Sequence, residues 1–303
     1  MGFEQALRVK EAQKDRLLGF SGVGAVDVGY RWRAGRLRTD EVCVRVWVEA
    51  KGDPIPAGEF VPGDLDGVAT DVVERRLELK GPDTVRWNAL VGGVSVGPCR
   101  DVGGGPVAGT LGAVVVDSAC GDLVGLTNWH VAVADDAGGE GDRMVQPSRL
   151  DGGSCPDDEV GALVRSRLDE RVDAAVVSLT GREITRHVRG IGVLCGVAVP
   201  ELGMEVRKSG RTTDTTTGMV DGLEASVRVD YGPGFGVRQL EGQISLTGTD
   251  GRPFGQGGDS GSVVVTGDGR AVGLYFAGDR DGTNGIANTA ADVAERLAIT
   301  FTP

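Results

Sequence analysis

The sequence predicts a mainly β protein made of antiparallel strands, with a smaller α+β region at its N-terminal end. From Gly109 onward, short valine-rich segments recur at close intervals, separated by Gly, Pro and Asp. Regularly spaced short strands with turn residues between them are typical of a sandwich or a barrel. Aromatic residues make up only 5% of the chain, whereas hydrophobic residues make up 40%. Aliphatic side chains, and valine above all, must therefore fill the core.

Helical patterns occur only at the two ends of the chain. Residues 4–18 are rich in Ala, Leu, Glu, Lys, Arg and Gln and contain no Gly or Pro, which predicts a surface helix. In the segment NTAADVAERLAI, Thr289 stands where a capping residue belongs and Asp292 follows three residues later. This capping-box arrangement predicts a C-terminal helix.

The first helix is followed by strand-like segments. These are GVGAVDVGYRW and EVCVRVWVEA, and GVATDVVERRLEL resumes as a strand after a passage that contains three prolines. Together with the helix they predict an N-terminal α+β domain over residues 1–92.

The charge of the chain bears on its partners and location. Its 44 acidic and 32 basic residues give a net charge of −12, which argues against a nucleic-acid partner because it repels phosphate. No apolar run approaches the length of a membrane span, and the first 20 residues are charged and lack the apolar centre of a signal peptide. We therefore expect a cytoplasmic protein that binds no membrane.

The cysteines indicate neither a disulfide framework nor a metal site. The chain contains Cys43, Cys99, Cys120, Cys155 and Cys195. Their number is odd and they form no CxxC motif, so free thiols in a reducing compartment are expected. No zinc-ligand spacing is present, and we expect neither a metal nor any other cofactor.

A candidate nucleophile lies in the segment GQGGDSGSVVV, where Ser260 stands between Gly-Asp and Gly-Ser. Because Gly and Asp are turn residues, the segment is also compatible with an ordinary tight turn. A catalytic interpretation needs a base and an orienting acid elsewhere in the chain.

Only two histidines can supply an imidazole base. His187 lies among arginines in GREITRHVRGIG, which favours an exposed loop position, while His130 follows an apolar strand in LVGLTNWHVAV. A core or strand-end histidine remains the alternative interpretation of His130.

The best candidate for the acid is Asp173, because VDAAVVSL places one carboxylate inside an otherwise apolar strand. A buried carboxylate is unfavourable unless it is paired. Asp173 could instead stand at the start of the strand and reach solvent. The other candidates, Asp135, Asp136 and Asp169, lie in charged or polar runs that indicate solvated positions.

The order of the three candidates along the chain limits the classes of hydrolase to which they could belong. They follow one another as His130, Asp173 and Ser260, which is the chymotrypsin order, whereas an α/β-hydrolase requires its histidine after the nucleophile. The segments TNWHV, VDAAVV and GGDSGS resemble the motifs of chymotrypsin-like serine peptidases. Ser262 stands where GDSGG would have its last glycine. VRKSGRTT and GLYFAG are similar to a narrower branch, found in bacteria and in the narrow-leaf proteins of plants, that has an α+β segment before the peptidase region.

This resemblance implies two six-stranded β-barrels, over residues 93–185 and 186–303, the second ending in the helix. It implies a catalytic triad of His130, Asp173 and Ser260, with the N–H groups of Gly258 and Ser260 as the oxyanion hole. Asp259 then needs a partner, either an arginine or backbone amides. The substrate pocket implied by the resemblance consists of Phe254, Tyr275, Phe276, Ala277 and Gly278.

The function implied is serine endopeptidase activity on a polypeptide substrate, with no cofactor and with a regulatory protein partner for the N-terminal domain. Two alternatives remain open at this point. One is a catalytically silent binding module with the same fold, and the other is an esterase-like acyl hydrolase that uses the same triad.

Overall fold

The computed structural model describes residues 2–33, 36–48, 50–51, 55–56, 58–74, 82–232, 234–249 and 251–302. The chain divides into two compact units, Met1–Lys80 and Gly81–Pro303. Strands dominate the described residues, and a helix follows the Thr289 cap at the C-terminal end. The predicted mainly β fold is therefore confirmed, whereas the finer division at residues 92 and 185 stays a prediction.

The N-terminal unit consists of one helix and a four-stranded sheet. Its elements are α1 (Phe3–Leu18), β1 (Val23–Arg33), β2 (Arg36–Val48), β3 (Asp64–Leu65) and β4 (Val68–Glu74). The strand order is β1-β2-β4-β3, in which β2 and β4 are parallel and the other pairs antiparallel. Ala6 and Leu17 of α1 are buried with Val44 and Val46 of β2 in one apolar cluster, as an α+β unit requires. The predicted strand GVATDVVERRLEL is present as β4 up to Glu74, and its remainder lies outside the described residues.

The first half of the second unit is built on a curved sheet. Its elements are β5 (Ala89–Gly92), β6 (Val94–Pro98), β7 (Gly109–Leu111), β8 (Ala113–Asp117), β9 (Leu123–Thr127), α2 (Trp129–Ala132), β10 (Arg143–Val145), a 3-10 helix at Arg149–Asp151, β11 (Glu159–Leu168), β12 (Asp173–Ser178), β13 (Glu183–Val188) and β14 (Gly192–Val193).

The second half closes into a barrel. Its elements are β15 (Glu205–Gly210), β16 (Asp214–Asp230), β17 (Val237–Gly248), β18 (Val263–Val265), β19 (Ala271–Gly278), β20 (Asn284–Thr289), α3 (Ala290–Leu297) and β21 (Ile299–Thr300). The barrel runs in the order β15-β16-β17-β20-β19-β18 and closes through the β15–β18 pair. The last strand, β21, returns to the first half, where it begins an eight-stranded sheet of order β21-β8-β9-β12-β11-β10-β6-β7.

One apolar cluster joins the two halves of this unit. Val115 and Val176 from the first half are buried with Val265 and Leu274 from the barrel and Val293 of α3. Small aliphatic side chains suit such a seam because alternate residues of each strand face it. The two halves therefore share one apolar core at their junction.

No helix among the described residues is both long enough and apolar enough to cross a membrane.

The expectation of free thiols is wrong for two of the five cysteines. Cys99 and Cys155 form a disulfide with their Cα atoms 5.9 Å apart, although 56 residues separate them in the chain. Cys99 follows β6, and β6 pairs with β10, the strand that precedes the loop of Cys155. Sequence spacing cannot reveal a pair that only this strand pairing brings together. Disulfides are typical of oxidising compartments, so the thiol argument for the cytoplasm does not hold, and the location stays a prediction.

Replacing both Cys99 and Cys155 by serine is expected to lower the free energy of unfolding by about 4 kcal/mol, because the disulfide restricts a long loop of the unfolded chain. Urea unfolding measures this loss, and Cys120→Ser, at an exposed free thiol, is the matched control. Thiol titration in denaturant should find three thiols before reduction, those of Cys43, Cys120 and Cys195. Five thiols in the unreduced protein would contradict the pairing.

Candidate functional site

Two adjacent strands deliver His130 and Asp173 to the same place. β9 ends at Thr127, which pairs with Ala175 of β12. The chain then enters the short helix α2, which carries His130, while Asp173 is the first residue of β12. The Asn128 side chain fixes the junction by donating to the Asp173 carbonyl at 2.6 Å.

His130 and Asp173 make two hydrogen bonds to each other. The imidazole Nδ1 lies 2.5 Å from Asp173 Oδ2, and the His130 backbone N–H donates to Oδ1 at 3.1 Å. The Asp173 side chain is fully buried, whereas 29% of the His130 side chain is exposed. Asp173 therefore stands at a strand start but does not reach solvent, and its carboxylate holds one imidazole nitrogen while the ring edge stays accessible.

The other three acid candidates and the second histidine have different surroundings and make no hydrogen bond to His130 among the described residues. Asp135 pairs with Arg100 at 2.7 Å, and Asp136 is exposed. Asp169 accepts from the backbone N–H groups of Arg171 and Val172. His187 is exposed, as expected, but it lies on β13 rather than in a loop.

Ser260 lies in the loop before β18, beside the strand that leads to His130. Its carbonyl accepts from the Thr110 N–H at 2.8 Å, and the Thr110 carbonyl accepts from Thr127 Oγ1 at 2.7 Å. Ser260 Oγ donates to the Phe276 carbonyl at 3.3 Å, and among the described residues it makes no hydrogen bond to the imidazole. Phe276 is an extra residue in the β19–β20 ladder, where the register shifts between Tyr275 and Ala277, and such a bulge redirects backbone groups.

The loop leaves two backbone N–H groups without a partner. Those of Gly258 and Ser260 have no acceptor among the described residues. The Gly257 carbonyl accepts from Thr212 Oγ1 at 2.7 Å, and the Gly258 carbonyl accepts from Thr110 Oγ1 at 2.9 Å. Both carbonyls are thus engaged by threonine hydroxyls, and the two amides remain available to an incoming oxygen. Gly258 has φ +97°, a backbone conformation that favours glycine.

Asp259 is fully buried beneath this loop and has donors on all sides. Its Oδ1 accepts from the N–H groups of Thr212 and Thr213 at 2.8 and 3.1 Å. Its Oδ2 accepts from Thr213 Oγ1 at 2.7 Å and from the Gln256 N–H at 2.9 Å. The cation beside it is Lys208, whose Nζ lies 3.4 Å from Oδ2. The two partners expected for Asp259 were an arginine or backbone amides; the amides are present, and lysine takes the place of arginine.

Lys208 is itself completely buried. Its Nζ donates to Thr213 Oγ1 at 2.7 Å and lies 5.7 and 5.9 Å from the ring centroids of Phe254 and Tyr275. Burial lowers the pKa of Lys208 because it removes the ammonium from water, while the Asp259 carboxylate opposes that shift. The aromatic faces and the carboxylate together compensate for the lost hydration.

The predicted pocket residues divide into a buried group and an accessible group. Phe254, Tyr275 and Phe276 are buried, Ala277 is partly exposed, and Gly278 is exposed. The rings of Phe254 and Tyr275 stand edge to face, with centroids 6.0 Å apart.

Tyr275 fills the space between three glycines. A Cβ added at any one of them would lie within 2.6 Å of its ring or hydroxyl; they are Gly255, Gly278 and Gly285. The volume behind the Ser260 loop is therefore occupied by the protein's own side chains.

Sequence reasoning missed several residues that contact the site. They are Thr110, Lys208, Thr212 and Tyr231, whose hydroxyl donates to Asp173 Oδ2 at 3.0 Å. Lys208 and Thr212 belong to the segment VRKSGRTT, which pointed to this region without indicating their contacts. Tyr231 precedes GPGFG, which predicts a turn but does not indicate which part of the folded protein that turn contacts.

Solved structures with a similar fold include bacterial serine proteases. Thermobifida fusca protease A matches with a TM-score of 0.51 at 21% identity, over 70% of this chain and 97% of that one. A Nocardiopsis protease matches with 0.52 at 18% identity, over 71% and 100%, and an alpha-lytic protease homologue with 0.50 at 19%, over 70% and 99%. No family model and no curated protein matches the chain. The chain therefore has the chymotrypsin-like fold of these proteases, while its narrower branch stays a prediction.

Lys208→Met is expected to lower the free energy of unfolding by about 3 kcal/mol, because it leaves the buried Asp259 carboxylate without its cation. Denaturant unfolding measures the loss, and Lys51→Met, at an exposed lysine, is the control. The double variant Lys208→Met with Asp259→Asn should be more stable than the single variant, because neither charge remains. A single variant as stable as the unchanged protein would show that the pair contributes nothing.

Proposed function

We propose that the protein is a serine endopeptidase with Ser260 as nucleophile, His130 as general base and Asp173 as the orienting acid. The observation that carries this proposal is the buried Asp173 carboxylate, bonded to both the ring and the backbone of His130. It is supported by the neighbouring Ser260 loop, in which two N–H groups have no acceptor among the described residues. A nucleophile, an oriented base and amide donors are the parts that acyl transfer requires.

The proposed reaction begins when Ser260 Oγ attacks the carbonyl carbon of the scissile bond and His130 takes the hydroxyl proton. The carbonyl electron pair moves to oxygen, where the N–H groups of Gly258 and Ser260 stabilise the charge. His130 then gives its proton to the leaving amine, which departs and leaves an acyl-enzyme. Water then attacks the acyl-enzyme through the same steps, and the carboxylic acid product is released. Asp173 stabilises the imidazolium that forms both during acylation and during hydrolysis of the acyl-enzyme.

We further propose that the substrate residue whose carbonyl is attacked has a small side chain. Tyr275 and Phe254 fill the volume behind the Ser260 loop. Tyr275 adjoins the nucleophile because its carbonyl accepts from the Gly261 N–H at 2.9 Å. Position 254 is a phenylalanine and not an acidic residue, so this position offers no charge to attract lysine or arginine.

A catalytically silent binding module is the second candidate, because the Ser260 hydroxyl donates to the Phe276 carbonyl. We interpret that bond as a resting state, since rotation about one side-chain torsion releases it. In unliganded sites, catalytic hydrogen bonds are commonly long or poorly aligned. An esterase-like hydrolase would use the same residues and differs only in substrate.

A fluorophosphonate probe is expected to label Ser260, with mass spectrometry locating the adduct. Ser260→Ala should prevent labelling and lower peptide hydrolysis on the order of a million-fold. Ser118→Ala, at an exposed serine in the turn after β8, should leave both unchanged. Absence of labelling in the unchanged protein would favour the silent module, and labelling with ester turnover but no peptide cleavage would favour the esterase.

Tyr275→Ala is expected to open space behind the Ser260 loop and to change the substrate preference. The ratio of kcat/KM for peptides with Leu or Phe at the attacked carbonyl to those with Ala should rise by about tenfold, as expected for added apolar contact in a pocket. Tyr30→Ala, at an exposed tyrosine of β1, is the control. An unchanged ratio in a folded Tyr275→Ala protein would refute the proposed role of this side chain.

A further inference from the structure

The hairpin formed by β16 and β17 extends beyond the barrel. Its inner part pairs with β15 on one side and β20 on the other. From the Ala225–Gln243 pair to the Asp230–Val237 pair, the two strands have no other strand partner among the described residues, and we call this part the outer hairpin. The tip is closed by hydrogen bonds from the Tyr231 N–H to the Gly236 carbonyl at 3.0 Å and from the Gly236 N–H to the Gly232 carbonyl at 2.8 Å. The outer hairpin thus belongs to the second half by sequence but extends beyond the strand pairs of the barrel.

The tip of the outer hairpin packs on the first half beside His130. Phe235 meets Trp129 edge to face, with ring centroids 4.5 Å apart, and Tyr231 meets the same ring at 6.2 Å. The Tyr231 ring also lies 6.2 Å from the imidazole of His130. Two aromatic side chains therefore dock the tip on α2, and edge-to-face pairs of this kind fix an orientation as well as a contact.

The Tyr231 hydroxyl reaches the carboxylate that holds His130. It donates to Asp173 Oδ2 at 3.0 Å, the oxygen that also lies 2.5 Å from His130 Nδ1. Burial raises the pKa of the Tyr231 hydroxyl, and the Asp173 charge adds to this effect, so the phenol stays protonated and donates. The carboxylate thus has three donors, two from His130 and one from the hairpin.

We propose that Tyr231 is a positioning residue that fixes the Asp173 carboxylate for its bond to His130, so that the outer hairpin is part of the catalytic apparatus. The inference rests on the proposed function. The His130 backbone N–H holds Oδ1, and the Tyr231 hydroxyl holds Oδ2 independently of the imidazole, so the plane of the carboxylate stays fixed when the ring moves. Because Oδ2 is shared, the phenol also withdraws negative charge from the bond to Nδ1.

The competing interpretation is that Tyr231 only packs. Its ring would then hold the tip against Trp129, and the hydroxyl would contribute nothing to the imidazole. The two interpretations separate cleanly, because Tyr231→Phe removes the hydroxyl and keeps the ring, whereas Phe235→Leu weakens the packing and keeps the hydroxyl.

The experiment compares Tyr231→Phe with Tyr30→Phe, the same substitution at an exposed tyrosine of β1. Tyr231→Phe is expected to lower kcat about tenfold, the size of a lost hydrogen bond to a charged group, and to leave KM unchanged. Tyr30→Phe should alter neither, and Phe235→Leu should lower kcat less than Tyr231→Phe does. The proposal would be overturned in favour of packing if kcat were unchanged in Tyr231→Phe. It would also be overturned if Phe235→Leu lowered kcat as much as Tyr231→Phe does.

Proton NMR of the His130 Nδ1–H tests the same inference without turnover. The chain has only two histidines, so His187→Gln assigns the signal. In Tyr231→Phe the resonance should move downfield, because Oδ2 then accepts from the imidazole without competition, and an unmoved resonance would overturn the proposal. If the resonance moves while no variant, including the unchanged protein, hydrolyses peptides or reacts with the probe, the proposed function fails and the Tyr231–Asp173–His130 coupling stands.

Discussion

The burial of two carboxylates, Asp173 and Asp259, is the constraint on which the rest of the site depends. A carboxylate removed from water is destabilised by several kcal/mol unless donors replace its hydration. Asp173 takes its donors from α2 and the outer hairpin, and Asp259 takes its donors from the segment between β15 and β16 and from Lys208. Elements distant in the chain must meet at these two points, so satisfying the carboxylates also fixes the histidine and the Ser260 loop.

The consequence for the loop is that its shape is held from outside. Thr110 and Thr212 engage the carbonyls of Gly258 and Gly257, and the Asp259 side chain ties the same loop to the barrel. The neighbouring N–H groups of Gly258 and Ser260 have no acceptor in the part of the chain that the structure describes. Donors that are oriented before a ligand arrives need no reorganisation during a reaction. The arrangement therefore favours a site whose donors are set by the fold, with the partner of Asp259 supplied by a lysine within the barrel.

Sequence reasoning identified those candidate residues that stand out within a short segment of the chain. His130 could be identified because histidine is scarce, and Asp173 because an acid inside an apolar strand is unusual. The strands and the terminal helices followed from periodicity and capping. Lys208 could not be found in this way: it follows Arg207 in a strand, and no pattern tells which of two neighbouring cations faces inward. Tyr231 and the Cys99–Cys155 disulfide depend on strand pairing and hairpin path, which a single sequence does not encode in any short segment.

Asp173 makes hydrogen bonds to both halves of the second unit, so the geometry of the site depends on how the two halves meet. The Asp173 N–H donates to Asn288 of β20 at 3.1 Å, while its carbonyl accepts from Asn128 of the first half. Its carboxylate is shared in the same way between His130 and Tyr231. A shift of one half against the other would break one hydrogen bond at the backbone and one at the side chain of the same residue. Alignment of the imidazole is therefore a property of the assembled pair of halves, and neither half contains it alone.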